Sequence, residues 1–383
     1  MRELKIQTTN ITDKEVFVFV DGFIETDTAE QFGNYIKKIH TENLDKKIII
    51  DFSKVEMITS AGIRYLIMFQ KEKYNFELTN VSREVFTVFK LTGVEGIIDI
   101  EQKTYSINTE GCKMLGRGFH SEVYRLDDET IAKVYYDIPN IDMAIRERMI
   151  AKQAFVKGVP TEISFGMCES NGKPGLIYEL VDANTLLSLF AEDDKNMDLY
   201  IKDYVKLIKT MHTFTGDGIT GIYDKKADFE SDSKLVSKYI PKECYEKIVK
   251  VGESIPYSNK LLHGDPHPAN VMLTDKGLIF IDLSDVGIGD EKFDLMFLYR
   301  TLKLFPILPT NKYALNKERA ALLWDKFIKE YYKDEDPKYV EEELKKIKVL
   351  GLNSIVYRFC NKNPESEEAK IMIKLLVDEL EKM

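Results

Sequence analysis

Short apolar runs alternate with stretches of helical spacing along the first hundred residues. Glu15–Val20 reads EVFVFV, a strand, and Asp21-Gly22 after it reads as a turn. Ala29, Phe32, Ile36 and Ile39 then recur at steps of three and four, which predicts an amphipathic helix. Lys46–Phe52 (KKIIIDF) is a strand of the fully buried kind, and a loop ending in ITSAG opens a helix near Ala61. A strand near Phe76–Asn80 and a helix near Ser82–Leu91 follow. Apolar strands flanked by helices predict a mainly parallel sheet covered by helices, an α/β domain over residues 1–104.

Beyond Asp99 the pattern changes. Residues 105–136 hold three successive strands with turns at Arg117–His120 and Asp127–Glu129, which predicts an antiparallel meander. A helix over about 141–157 and strands near 163–168 and 175–181 come next. From about 184 the chain is mostly helical, broken by the irregular stretch 261–294. Met372, Leu375, Leu376 and Leu380 near the end stand at helical spacing and predict a packed helix. The expected organisation is two adjacent domains, 1–104 and 105–383, meeting within EQKT. The second divides into a strand-rich lobe to about 182 and a helical lobe over about 183–383.

Composition narrows the function classes. A chain of 383 residues suits two or three domains, and 44% hydrophobic against 31% charged residues is an ordinary core-forming mixture. The formal charge is −10, and residues 1–104 carry 17 acidic against 14 basic side chains. Neither part is basic, so nucleic acid is not the expected partner. No apolar run approaches the roughly 18 residues of a membrane span. The start MRELKIQTTN has none of the marks of a signal peptide, so a cytoplasmic location without a membrane span is expected. Cys112, Cys168, Cys244 and Cys360 lack CxxC spacing, which argues against a zinc ribbon or a disulfide scaffold.

The chemistry concentrates in Leu261–Asp294, LLHGDPHPANVMLTDKGLIFIDLSDVGIGDEKFD. Asp265 is followed five residues later by Asn270, and then by Asp282. Two apolar strands joined by Thr274-Asp275-Lys276-Gly277 separate Asn270 from Asp282, a hairpin that would bring those two residues together. Clustered oxygen ligands suit Mg²⁺, which takes one or two carboxylates plus substrate phosphates. Asp265 would remain to receive a hydroxyl proton. Upstream, Gly116, Gly118, Ser121 and Val123 lie in a strand–turn–strand whose glycines let backbone N–H groups approach phosphate oxygens. Lys133 stands inside the apolar strand Ile131–Val134 and needs an anion. Glu147 shares a helix face with Ala144, Ala151 and Ala154, either as a surface charge or as the partner orienting Lys133.

With these residues in place, segment 105–383 resembles the α+β protein-kinase-like fold in its aminoglycoside/choline phosphotransferase branch. That branch uses HGDxHxxN where protein kinases carry HRDxxxxN. The resemblance implies ATP or GTP and Mg²⁺ as cofactors, Asp265 as catalytic base, and Asn270 and Asp282 as metal ligands. It also implies Gly116, Gly118 and Val123 around the nucleotide, Lys133 on the α/β-phosphates, and Glu147 as its helix partner. The resemblance further puts Glu179 and Val181, in Tyr178-Glu179-Leu180-Val181, where the hinge would hydrogen-bond a nucleobase. Asp294 resembles the structural aspartate after the metal loop, with a helix N-cap as the alternative. His267 is either a structural residue or a contact to substrate.

Residues 1–104 resemble a STAS domain, the sulfate transporter and anti-sigma-factor antagonist module. Val20–Ala29 matches the pattern leading into the first helix, and Asp51–Ile63 matches the strand–loop–helix block ending in S-x-G-[LI]. Ser60 falls where partner-switching members carry a phosphorylatable serine, and a hydroxyl there is also a natural N-cap. Two functions from different classes follow. One is an ATP- and Mg²⁺-dependent phosphotransferase acting on a hydroxyl acceptor, with a regulatory or docking STAS domain that binds a protein partner or a second copy. The other is a nucleotide-sensing signalling protein that acts through partner binding by the STAS domain and could also phosphorylate protein Ser/Thr. The acceptor is not legible: Glu192, Asp193, Asp194 and Asp198 could receive a cationic substrate or form a solvated surface.

Overall fold

The computed structural model describes residues 4–102, 104–118, 120–136, 141–219, 221–308 and 315–383. Phe119, in the glycine turn, and Lys103, beside the expected boundary, lie outside them. The chain forms two compact units, one of residues up to Ala144 with Ser164–Tyr178, the other of Ile145–Ile163 with Glu179–Met383.

The first unit contains two sheets. The N-terminal one has the order β1-β2-β3-β4-β5, with β1 Leu4–Ile11, β2 Glu15–Ile24, β3 Lys47–Ile58, β4 Phe76–Val81 and β5 Ile100–Gln102. Only β1–β2 is antiparallel; the later pairs are parallel, as apolar strands separated by helices require. The intervening helices are α1 Ala29–Glu42, α2 Ser60–Lys71 and α3 Arg83–Leu91. The predicted stripe of α1 is the buried one: Ala29, Phe32, Ile36 and Ile39 all join the core with Val16, Val18, Val20, Ile48, Ile50 and Phe52.

Two details depart from expectation. Asp21-Gly22 lies inside β2, not at a turn, because β2 is paired along both edges and continues to Ile24. The β2–β3 register shifts there, and Gly22 takes φ 109°, the signature of a bulge that a glycine accommodates. Likewise β3 runs on to Ile58 instead of ending at Phe52.

The second sheet has the order β6-β10-β11-β9-β8-β7, formed by β6 Tyr105–Ser106, β7 Met114–Arg117, β8 Ser121–Arg125, β9 Thr130–Tyr135, β10 Ser164–Ser170 and β11 Lys173–Glu179. The β7-β8-β9 meander is antiparallel as expected. Helix α4, Ile141–Lys157, connects β9 to β10.

The second unit is mostly helical: α5 Leu186–Glu192, α6 Met197–Met211, α7 Lys225–Val236, α8 Lys242–Glu253, α9 Lys292–Tyr299, α10 Lys317–Tyr331, α11 Pro337–Lys362 and α12 Glu367–Glu381. Met372, Leu376 and Leu380 of the predicted terminal helix pack with Leu350, Ile355 and Val356 of α11 in its main core. Two small ribbons are set among these helices. One has the order β12-β15-β16 (Asn184–Thr185, Val271–Thr274, Gly277–Phe280); the other is β13-β17-β14 (Tyr223–Asp224, Gly287–Ile288, Leu261–Leu262). Among the described residues no helix is long and apolar enough to cross a membrane.

Candidate active site

The predicted hairpin forms. β15 and β16 pair from Val271↔Phe280 to Thr274↔Gly277, and the Ile281 N–H donates to the Asn270 carbonyl at 2.9 Å. Asn270 and Asp282 therefore stand at the open end of one hairpin. Asp265 lies in the loop before it, where the Asn270 side-chain amide donates to the Asp265 carbonyl at 3.0 Å. Since Nδ2 is engaged there, the Asn270 Oδ1 is the atom available to a cation.

Backbone geometry explains the residue types around these groups. Asp282 has φ 59° and ψ 75°, a left-handed conformation sparsely populated by side chains other than glycine. Its N–H donates to Glu162 Oε1 at 3.4 Å, and its Oδ1 accepts from the Ser284 N–H at 3.4 Å. Gly264 has φ 81°, and a Cβ there would stand 1.9 Å from the Asp285 carbonyl oxygen. Only glycine permits that approach of the two loops.

A buried carboxylate anchors the loop. Asp294, 1% exposed, accepts from the Gly264 N–H at 2.8 Å, the His263 N–H at 3.1 Å and lies 2.9 Å from His212 Nε2. It is not the N-cap of α9, which is Glu291. Burial pushes the Asp294 carboxyl up, but the His212 contact and backbone donors hold it below its ordinary value. His212 had no motif to mark it; it lies 82 residues away in sequence.

Burial pushes the pKa of both loop histidines down. His263 Nδ1 accepts from the Asp265 N–H at 3.3 Å, which puts its proton on Nε2, facing the Ile281 carbonyl. His267, its pKa lowered to about 4, accepts through Nδ1 from the Ala269 N–H and caps the short turn Pro268–Asn270. That is a structural role for His267. The Asp265 carboxyl, by contrast, is pushed up to about 7 by burial, with Arg300 pulling it down and Asp285 and Asp282 raising it further.

The remaining predicted residues distribute as follows. In the first unit, Gly118 N–H donates to the Ser121 carbonyl at 2.8 Å, and Tyr136 Oη donates to the Gly118 carbonyl. Neither Gly116 nor Gly118 takes a positive φ, and the space above Gly116 is open. Val123 pairs with Lys133 across β8–β9, and Lys133 is 8% exposed. Glu147, 1% exposed, belongs to the second unit, so the structure describes Lys133 and Glu147 in separate bodies. Glu179 and Val181 also belong to the second unit: the Glu179 N–H donates to Ile163, and the Val181 carbonyl accepts from Ala183. Ser60 is exposed and opens α2, but the N-cap is Thr59, whose hydroxyl donates to the Ile24 carbonyl. Three members of the acidic run are engaged by neighbours: Arg319 pairs with Asp194, Lys326 with Asp198, and Asp193 accepts from Asn196 and Tyr200.

Two sheets, a helical body and an HGDxHxxN loop folded onto a buried aspartate define a STAS domain followed by a kinase-like α+β fold. Residues 112–327 match the model of the phosphotransferase enzyme family and residues 5–107 match the STAS domain. The chain belongs to that phosphotransferase family. Among solved structures, it resembles the GDP complex of an aminoglycoside 2'-phosphotransferase-IIIa mutant at 13% identity and TM-score 0.52, over 78% of this chain and 97% of that one. It also resembles the GDP and kanamycin complex of APH(2")-IIia at 14% identity and TM-score 0.50, over 72% and 95%. At such identities the likeness is one of fold.

Proposed function

We propose that the chain transfers the γ-phosphoryl group of ATP or GTP, with Mg²⁺, to a hydroxyl of a small-molecule acceptor. The observation that carries this reading is the convergence of Asp265, Asn270 and Asp282 on one loop and one hairpin end. The donor set fits magnesium: Asp282 supplies carboxylate oxygen and Asn270 its amide oxygen, hard ligands that leave positions for phosphate oxygens. When bound, the ion neutralises charge on the β- and γ-phosphates. Asp265 orients the acceptor hydroxyl and takes its proton as the oxygen attacks phosphorus. Lys133 holds the α/β-phosphates and Glu147 orients Lys133. The Glu179 carbonyl and Val181 N–H, on the sides not used by Ile163 and Ala183, hydrogen-bond the base.

The division at residue 104 separates this phosphotransferase domain from a STAS domain that regulates it or docks it to a protein partner. The exposed hydroxyl of Ser60 on the first turn of α2 favours a phosphorylation switch there. Phosphate added at that position would meet backbone N–H groups at a helix start and bring about −1.5 to −2 charge to the surface. The function is tested by incubating the full chain with Mg·ATP or Mg·GTP and a panel of hydroxyl acceptors, with nucleoside diphosphate release as readout. Acceptor-dependent release that vanishes in Asp265→Asn supports the reading; its absence with every acceptor and both nucleotides overturns it.

A further inference from the structure

Arg146 precedes Glu147 on α4 and has no part in the motifs described above. Its guanidinium is spread over three backbone carbonyls. Nε donates to Gly221 at 2.6 Å, Nη2 to Val286 at 3.0 Å, and Nη1 to Ser284. The guanidinium carbon also lies 3.5 Å from the centroid of the Tyr223 ring. The segments so joined are distant in sequence, Ser284 and Val286 lying 138 and 140 residues from Arg146.

The two acceptor segments are already neighbours, because β13 and β17 pair in parallel through Tyr223↔Gly287 and Asp224↔Ile288. Arg146 closes the corner where that pairing begins. Ser284 lies inside the turn Leu283–Asp285 and Val286 closes it, and the residue that caps its start is Asp282, held at φ 59°. A left-handed aspartate persists only where its surroundings over-determine it. A planar, multiply donating cation that ties two carbonyls of this turn to that of Gly221 is such a constraint, and a lysine, with one point charge, could not reproduce the fork.

We infer that Arg146 is a positioning residue that fixes the turn 282–286 to α4, so that the helix segment bearing Glu147 and the carboxylate of Asp282 are held as one rigid arrangement. The inference rests on the phosphotransferase reading for its consequence in turnover, but not for the clamp itself.

The test therefore has two arms on the full chain, with Arg146→Ala and Arg146→Lys. In the ligand-free protein, hydrogen–deuterium exchange of peptides covering 281–288 and 219–224 is expected to rise several-fold in both variants. Peptides from α11 and α12 should keep wild-type exchange. Unchanged exchange in 281–288, or an equal rise across the whole second unit, overturns the inference in favour of no role or a general stabilising one. With an accepted substrate, kcat is expected to fall about 10–100-fold, as for displacement of a positioned group by about 1 Å. Added guanidinium ion should restore part of kcat in Arg146→Ala. A fully active Arg146→Lys enzyme, or no rescue where exchange has also stayed normal, sinks it. If the wild type has no acceptor-dependent turnover, the proposed function fails while the exchange result still decides the clamp.

Discussion

Replacing Asp265 by asparagine should remove turnover and at the same time stabilise the ligand-free protein at alkaline pH. Burial moves the carboxyl from its ordinary 3.8 to about 7. Between those values the native state holds a proton that the unfolded chain has already released. Stability therefore falls as pH rises through that window, and the loss is complete above pH 7. The full displacement corresponds to about 4 kcal/mol, of which roughly 2–3 kcal/mol develops between pH 5 and pH 8. Asparagine has the same shape and no charge to desolvate, so the variant escapes this loss. Asp232 is also raised to about 7 by burial, but it is present in both proteins and cancels in their difference. Urea unfolding of both proteins at pH 5, 6, 7 and 8, in a chelator, measures the gap directly. It should widen in favour of Asp265→Asn as pH rises. A gap constant over that range would mean that Asp265 ionises as an ordinary surface carboxylate, and the burial argument would be wrong. Turnover in the variant should drop about 10²–10⁴-fold, the usual worth of a general base.

Asp282→Ala should abolish Mg²⁺-dependent nucleotide binding measured by calorimetry, while binding that survives unchanged would remove Asp282 from the metal site. Lys133→Met should weaken nucleotide binding or turnover strongly with the fold intact, and Glu147→Ala should give a milder form of the same defect. Loss of the fold in Glu147→Ala, seen by circular dichroism, would make that residue structural instead. Gly264→Ala should lower stability by about 1–3 kcal/mol, through a positive φ and the collision with Asp285, and thermal unfolding reads that loss. Incubation with Mg·ATP and peptide mass spectrometry should find phosphate on Ser60 that disappears in Asp265→Asn. No modification while another acceptor is phosphorylated would leave Ser60 as an ordinary exposed serine.

What the sequence made legible is what local spacing encodes. The α1 stripe, the β7-β8-β9 meander and the β15–β16 hairpin each depend on neighbours within a few residues, and each took its expected form. Strand β1 was not legible because its alternation is largely polar and solvent-facing, and β5 because it has only three residues. Asp21-Gly22 misled because the dipeptide favours both turns and bulges, and only pairing along both edges of β2 decides between them. Arg146 and His212 were invisible for a different reason. Their partners lie 75 to 140 residues away, and neither stands in a pattern that periodicity or motif spacing can register.

Asp265, in the loop, and Asp294, beneath it, show how one fold gives the same side chain opposite electrostatic settings. Asp265 and Asp294 are both desolvated, and desolvation pushes both carboxyls up. Asp294 escapes that outcome because His212 and two backbone N–H groups converge on it, so that it stays ionised and ties the loop in place. The Asp265 carboxyl is compensated mainly by the more general attraction of Arg300, opposed by Asp285 and Asp282, and so it is poised near pH 7. A carboxyl that is firmly ionised is a good anchor and a poor proton acceptor; one poised near neutrality is the reverse. His212, outside every motif, is therefore part of what separates the two carboxyls: its contact helps hold Asp294 ionised as the anchor of the loop, whereas Asp265 is left near pH 7 for the proton-accepting part proposed for it.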